Sequence, residues 1–363
     1  MEFYMPTQIY HEAEAVRKHG EEMAHTGKKA LIVTGHSSST KNGALKDVTD
    51  SLDKYHTAYI IYDKITENPT IESVMDAAEI GRREGTDFVI GIGGGSPLDA
   101  AKAIALMIQN RDSASSVLYQ NMALRALPVV TVPTTCGTGS EVTPFAILTR
   151  DDLQTKQSIS HRIYPVIALV DGKYLKTAPE SVLMNTAIDA LGHMLESYFN
   201  SKATDYSRML AQYALEVWGM ATDILFGMEA QEGDYDRLMF ASTLAGMAIT
   251  HTGTSIPHGL SYYLTYHKGI PHGKAVGYFL PGYLDSMPES LEPQVIMALR
   301  AAGFGSLEQF EGFIKEMLGT IPVTDQEAKE MVEEIANNDR KKKAVPFFTA
   351  VTLPSLSTVA TLF

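Results

Sequence analysis

The segment Gly91-Ile92-Gly93-Gly94-Gly95-Ser96-Pro97-Leu98-Asp99-Ala100-Ala101-Lys102 follows an apolar run, Phe88–Ile92, and leads into a stretch of helical composition. Glycines let the chain turn sharply and bring backbone amides close to a ligand. Pro97 suits a first helical turn, where its missing N–H loses nothing. A helix N-terminus offers unpaired N–H groups and the positive end of the helix dipole, so this turn suits a pyrophosphate. It is not the G-x-G-x-x-G fingerprint, because Ser96 stands where the last glycine would be. Taken alone, it also reads as a plain tight turn.

Around that turn the first half of the chain alternates in period. Ala30–Thr34, Ala58–Tyr62, Phe88–Ile92, Leu127–Val132 and Val166–Val170 are short apolar runs that predict buried strands. Helix-compatible stretches separate them, among them Gly43–Asp53 and a helix capped by Thr70 and running to Glu84 with Ile71, Val74, Ala77, Ala78 and Gly81 on one face. Strands of this kind alternating with helices indicate a parallel sheet covered on both faces, an α/β Rossmann-like arrangement.

After about Lys176 the strand-like runs nearly vanish, and long amphipathic stretches such as Asp205–Phe226 and Tyr235–Thr250 take over. The boundary falls near Thr177 to Pro179, giving an α/β domain over 1–177 and an all-helical domain over 178–363. Met209, Tyr213, Val217 and Met220 share one helical face and are expected in the core. The Arg340–Lys343 run reads as a solvated face.

Bulk properties bound the function. A chain of 363 residues exceeds what one core usually serves, and 45% hydrophobic with 20% charged residues is ordinary for a globular protein. A formal net charge of −13 argues against a nucleic-acid partner, which needs a concentrated cationic surface. The single cysteine, Cys136, allows no intramolecular disulfide and fits a reducing cytoplasm. Neither a signal peptide nor an apolar run long enough for a membrane span is expected.

Two further groups carry chemistry. Pro133-Thr134-Thr135-Cys136-Gly137-Thr138-Gly139-Ser140-Glu141-Val142-Thr143 follows the fourth strand and forms a donor-rich rim at the carboxyl edge of the sheet, where ligands of open α/β sheets bind. No histidine lies near Cys136 in sequence, so a binding loop explains it better than a nucleophile. In the second half, Asp189 and His193 stand at i and i+4 and converge on one helix face. Pro257-His258-Gly259 and Pro271-His272-Gly273 are similar units 14 residues apart. One carboxylate and three imidazoles are a competent ligand set for Fe²⁺ or Zn²⁺, although each histidine alone reads as an ordinary helix-terminal or surface residue.

In combination these motifs resemble those of the iron-containing (group III) alcohol dehydrogenase family, in the right order and over essentially the whole chain. The resemblance implies a dehydroquinate synthase-like fold, an α/β cofactor domain joined to an all-helical metal domain with the active site in the cleft between. It implies metal ligation by Asp189, His193, His258 and His272. Gly93, Gly94, Gly95, Ser96 and Asp99 would line the pyrophosphate and nicotinamide side, with Thr134, Thr135 and Thr138 nearby. The implied reaction is hydride transfer between a nicotinamide dinucleotide and a small alcohol or aldehyde, in a cytoplasmic homodimer. The Tyr4–Tyr10 segment is a candidate for an edge strand exchanged between its subunits.

Two departures stand out. Many relatives carry a proton-relaying histidine four residues after the third ligand; here that position is Tyr262. His267 nearby is either a substitute or a rim histidine without a catalytic role, which leaves the relay unassigned between Tyr262 and His267. The tail from about Lys341 does not resemble the family's closing helix. NAD-preferring relatives often have an aspartate where this chain has Gly35. The acid-free loop with Ser37, Ser38 and Lys41 accepts a 2′-phosphate, so NADP(H) is expected over NAD(H). Alternatives are a zinc polyol dehydrogenase of the glycerol dehydrogenase type, a dehydroquinate synthase-like lyase, and a non-catalytic nucleotide-binding protein. The nearly uncharged, aromatic surroundings of His258 favour a small neutral substrate, with Phe145, Tyr262 and Tyr263 shaping its pocket.

Overall fold

Residues 30 to 33 alternate between two cores, and that alternation organises the first half of the molecule. In the computed structural model, which describes residues 1–337 and Ala344, Leu31 and Val33 join one buried cluster while Ala30 and Ile32 join another. Successive strand residues point to opposite faces, so a strand apolar at every position must be covered on both sides. The chain divides into two units, Tyr4–Pro179 and a second made of Met1–Phe3 with the chain from Glu180 onward.

The first unit runs β1 (Gln8–His11), α1 (Ala15–Lys18), α2 (Gly20–Ala24), β2 (Lys29–Thr34), α3 (Ser38–Lys41), α4 (Ala44–Lys54), β3 (Ala58–Tyr62), α5 (Ile71–Glu84), β4 (Phe88–Gly93) and α6 (Gly95–Gln109). It continues through β5 (Val129–Pro133), β6 (Ile147–Arg150), β7 (Thr155–Ser158) and β8 (Ile167–Val170). Six strands form one parallel sheet in the order β1-β8-β5-β4-β2-β3. Helices α5 and α6 cover one face, and α1, α2 and α4 contribute to the core on the other. From β2 the sheet grows outward to β3, whereas from β4 it grows the other way to β5 and β8. The switch point therefore lies between β2 and β4, where such sheets bind ligands at their carboxyl ends.

Most of the expected elements are present, with corrections. The fourth strand starts at Val129, because Pro128 has no N–H to give a ladder. The antiparallel pair β6–β7 was not foreseen; it is short and half-buried, without an apolar run. Gln8–His11, overlapping the Tyr4–Tyr10 segment, pairs with β8 at the sheet edge.

The regular elements of the second unit, among the described residues, are all helices: α7 (Glu180–Tyr198), α8 (Asp205–Gly219), α9 (Asp234–Thr252), α10 (Ile256–Lys268), α11 (His272–Asp285), α12 (Glu292–Ala301), α13 (Leu307–Leu318) and α14 (Asp325–Ala336), with short 3₁₀ turns between. One expectation fails here. Met209, Tyr213 and Met220 are 61%, 51% and 68% exposed, and of that stripe only Val217 is buried. Helix α8 instead buries Ser207, Ala211, Ala214, Leu215 and Trp218. Those positions recur at i, i+4, i+7, i+8 and i+11, and the small Ser207, Ala211 and Ala214 among them let α8 lie close against its neighbours. The Arg340–Lys343 run and the tail from Lys341 fall outside the described residues, apart from Ala344.

Thr70 caps α5 as expected, its side chain accepting a hydrogen bond from Ser73 N at 3.2 Å. Replacing it, Thr70→Ala, removes the partner of an otherwise unpaired N–H and should lower stability by about 1 kcal/mol. Urea unfolding followed by circular dichroism checks this; an unchanged midpoint contradicts the assignment of the cap.

Candidate metal centre and nucleotide loops

Helix α7 supplies a polar stripe inside an otherwise apolar helix. Asp189, His193 and Glu196 stand at i, i+4 and i+7, so they share one face, and all three are buried. Helices α10 and α11 bring two more imidazoles to that face, each from its first turn: His258 is buried and His272 half-buried. The Pro-His-Gly spelling has a steric reason at Gly273. A Cβ there would lie 1.8 Å from the Asn185 carbonyl oxygen, so only glycine lets α11 touch the α7 backbone one turn before Asp189.

The resulting distances suit a metal ion. Asp189 Oδ1 lies 3.4 Å from His258 Nε2 and 3.7 Å from His272 Nε2. Ligand atoms of Asp189, His258 and His272 all fall within 4.8 Å of one another, and the His193 ring stacks on His258 at 4.3 Å between centroids. Ligands about 2.1 Å from a tetrahedral ion stand roughly 3.4 Å apart, close to the two distances from Asp189 Oδ1. Asp189 Oδ1 and His258 Nε2 are buried and make no hydrogen bond, although such groups almost always have one.

Electrostatics agree. Burial pushes the Asp189 carboxyl up, but the positive charge of His193, His272 and His258 outweighs it and holds the group well below the usual carboxylate range. Burial opposes protonation of His258, yet the carboxylates of Glu196 and Asp189 dominate and raise it to about 9.

Glu196 was missed by sequence reasoning. It is fully buried and meets His258 Nδ1, on the ring edge opposite the metal-facing nitrogen. Its i+7 spacing from Asp189, inside the apolar run Met194-Leu195-Glu196-Ser197-Tyr198, was the available signal. The two relay candidates separate. Tyr262, one turn after His258, lies 5.8 Å from the His272 ring. His267 is nine residues from His258, about half a turn round the helix. It is exposed and stacks on Tyr263 and Tyr266, and the Tyr263 hydroxyl donates to Glu330 of α14. The structure brings Tyr262 to the histidine cluster and takes His267 and Tyr263 away from it.

In the first unit, β2, β4 and β5 are adjacent and parallel, so three loops leave the same sheet edge. The Gly93–Ser96 turn lies between the loop after Thr34 and the loop after Pro133. A Cβ on Gly94 would lie 3.0 Å from Thr135 Oγ1, and one on Gly95 would lie 2.5 Å from Thr138 Cγ2. These glycines therefore serve a close approach of loop to loop. Thr134 N also donates to Gly93 O at 2.9 Å.

Two of the expected ligand side chains are already engaged within the unit. Ser96 Oγ accepts from Asn68 N at 3.2 Å. Asp99 accepts from Ser140 Oγ and, at 2.8 Å, from Ile147 N. Lys102, fully buried, donates to Ser140 Oγ at 2.7 Å and to Phe145 O at 2.8 Å. Burial pushes Lys102 down to about 8 against the pull of Asp99 and Glu141, and pushes Asp99 up. Asp99 and Lys102 thus brace the threonine loop. Helix α6 keeps its capping amides free of side chains, Gly94 being its N-cap. On the other flank, Ser37, Ser38 and Lys41 are exposed beyond β2, and Gly35 lies 3.2 Å (as a built Cβ) from the Ile65 carbonyl.

The chain is similar to known proteins over both units. Residues 6–172 match the family described as iron-containing alcohol dehydrogenase, and residues 183–337 match its C-terminal family. The crystal structure of an iron-containing alcohol dehydrogenase from Thermotoga maritima is 36% identical, with a TM-score of 0.91 and coverage of 99% of this chain and 98% of that one. A long-chain primary alcohol dehydrogenase of Thermoanaerobacter ethanolicus is 31% identical over 271 residues, 72% of this chain and 66% of that protein. An NADPH-dependent butanol dehydrogenase of Clostridium saccharobutylicum is 29% identical over 290 residues, 77% and 72% of the two chains. The aligned stretch spans about two thirds of the length of the first of these curated relatives. This chain belongs to the iron-containing alcohol dehydrogenase family. The expected fold is borne out, and the relatives lend no support to the polyol or lyase alternatives.

A pH dependence follows from His258. Without metal its folded-state value lies near 9, so below that pH an incoming ion must displace a proton from Nε2. Zinc affinity of the metal-free protein should rise by about tenfold per pH unit between 7 and 9 and flatten above. Competition with a chromophoric chelator measures it; affinity independent of pH below 9 contradicts the assignment.

Proposed function

We propose that the protein transfers a hydride between a nicotinamide dinucleotide and a small alcohol or aldehyde, with Fe²⁺ or Zn²⁺ held by Asp189, His193, His258 and His272. The observation that carries this reading is the convergence of two buried atoms without hydrogen bonds, Asp189 Oδ1 and His258 Nε2, beside His272. A divalent ion held there would supply Lewis acidity towards an alcohol or carbonyl oxygen. The chain's own residues do the rest. Asp189 carries the negative charge that a cation needs, and its depressed pKa keeps that charge at neutral pH. Tyr262, 5.8 Å from the His272 ring, would pass a proton, a choice supported by its position beside the histidines and by the exposure of His267.

In the α/β unit, the free amides at the start of α6 and the loops Gly93–Ser96 and Thr134–Thr138 hold the pyrophosphate. Gly35, Ser37, Ser38 and Lys41 favour NADP(H). No carboxylate follows β2 to repel a 2′-phosphate, and exposed hydroxyls and a lysine are available to bind one. A relative described as NADPH-dependent supports the same choice. Leu260, Ser261 and Tyr262 beyond His258 are uncharged, which supports a small neutral substrate.

Aldehyde reduction should appear only when metal-stripped protein is reloaded with Fe²⁺ or Zn²⁺ under anaerobic conditions. It should fall by on the order of 10²-fold or more in His258→Ala. Turnover by the stripped protein, or full activity in His258→Ala, contradicts the metal reading. The kcat/KM with NADPH should exceed that with NADH by about tenfold, or roughly 1.4 kcal/mol of transition-state binding; equal values would overturn the cofactor preference.

A further inference from the structure

Helix α10 begins with a problem in hydrogen bonding. Its N-cap, Ser255, makes no side-chain cap bond, and Pro257 in the first turn has no N–H. The amides of Ser255 and His258 are left to be satisfied inside the protein, where an unpaired donor is costly. Both are taken by Glu196, which arrives from α7. Its Oε2 accepts from Ser255 N and, at 2.9 Å, from Ser255 Oγ. Its Oε1 accepts from His258 N at 3.2 Å and meets His258 Nδ1. A capping box normally draws its glutamate from the third helical residue. Here that third residue is His258, and the glutamate comes from another helix.

Four donors thus converge on two carboxylate oxygens, which matches the capacity of an ionised carboxylate. An ionised carboxylate only accepts, so Nδ1 of His258 carries the hydrogen. Nε2, 3.4 Å from Asp189 Oδ1, is then the nitrogen left for a ligand. One oxygen, Oε1, receives both the backbone and the ring of the same residue, which fixes where His258 stands and which way its ring faces. We infer that Glu196 is a positioning residue: one buried carboxylate closes the start of α10 and fixes the ring orientation and tautomer of His258, so that Nε2 points at the metal.

The inference rests on the metal reading given above, and its test is metal binding itself. Glu196→Gln keeps the shape but sets an NH₂ group against a donor. Chelator competition should show zinc affinity weakened about 10- to 100-fold, the range seen when a group supporting a ligand is lost. Ser255→Ala removes one donor to Glu196 without touching the ring, leaves the Ser255 and His258 amides on Glu196, and should leave zinc affinity within about threefold. If Ser255→Ala weakens zinc as much as Glu196→Gln, or Glu196→Gln binds as the parent does, Glu196 is only a helix cap.

A measurement on the parent protein decides the matter even if Glu196→Gln does not fold. In zinc-loaded protein labelled with ¹⁵N-histidine, His258 should show a hydrogen-bearing Nδ1 and zinc on Nε2; zinc on Nδ1 overturns the inference. A parent that takes up no zinc would sink the metal reading and this inference with it. A parent that binds normally beside an indifferent Glu196→Gln would sink this inference alone.

Discussion

The chain Asp189–His258–Glu196 places two carboxylates and an imidazole in the interior of the helical unit, and the packing around it answers that burial. Taking an ion out of water carries a penalty of several kcal/mol unless partners replace the solvent. Glu196 receives four donors from the start of α10. Asp189 receives the positive field of three histidines drawn from α7, α10 and α11. The arrangement still leaves Asp189 Oδ1 and His258 Nε2 without hydrogen bonds. A buried polar atom left this way costs about 1–3 kcal/mol, a penalty that a bound cation removes. The close contact at Gly273 belongs to the same constraint, since any side chain there would lift His272 away from Asp189.

The α/β unit solves a different problem, the rigid presentation of backbone amides. The start of α6 is held by contacts that exclude side chains, with Gly94 and Gly95 pressed against Thr135 and Thr138. The buried Lys102 and Asp99 secure the facing loop through Ser140, Phe145 and Ile147. The hydroxyl of Ser96 and the carboxylate of Asp99 also hold the loops together, through Asn68, Ser140 and Ile147.

Much of this was legible in the residues, and the exceptions share a cause. The strands declared themselves by continuous apolar runs, and the Asp189, His193, His258 and His272 set by residue type and order. What escaped depends on which of two competing faces a helix buries. On α8 the Met209 and Tyr213 face looked like core, but the smaller Ala211 and Ala214 face allows closer packing and wins. His267 looked near His258 in sequence, yet helical geometry carries it to the α14 side. Glu196 lay on the right stripe, but its partners sit 59 and 62 residues away, beyond any local pattern.

The most direct test of the account is X-ray absorption on protein reconstituted with zinc, with metal content measured on the same sample. The account predicts one ion per chain, bound by one oxygen from the protein and three imidazole nitrogens, with the imidazole signal diminished in His258→Ala. A sample that retains no stoichiometric zinc, or one whose ion lacks imidazole neighbours, would contradict it.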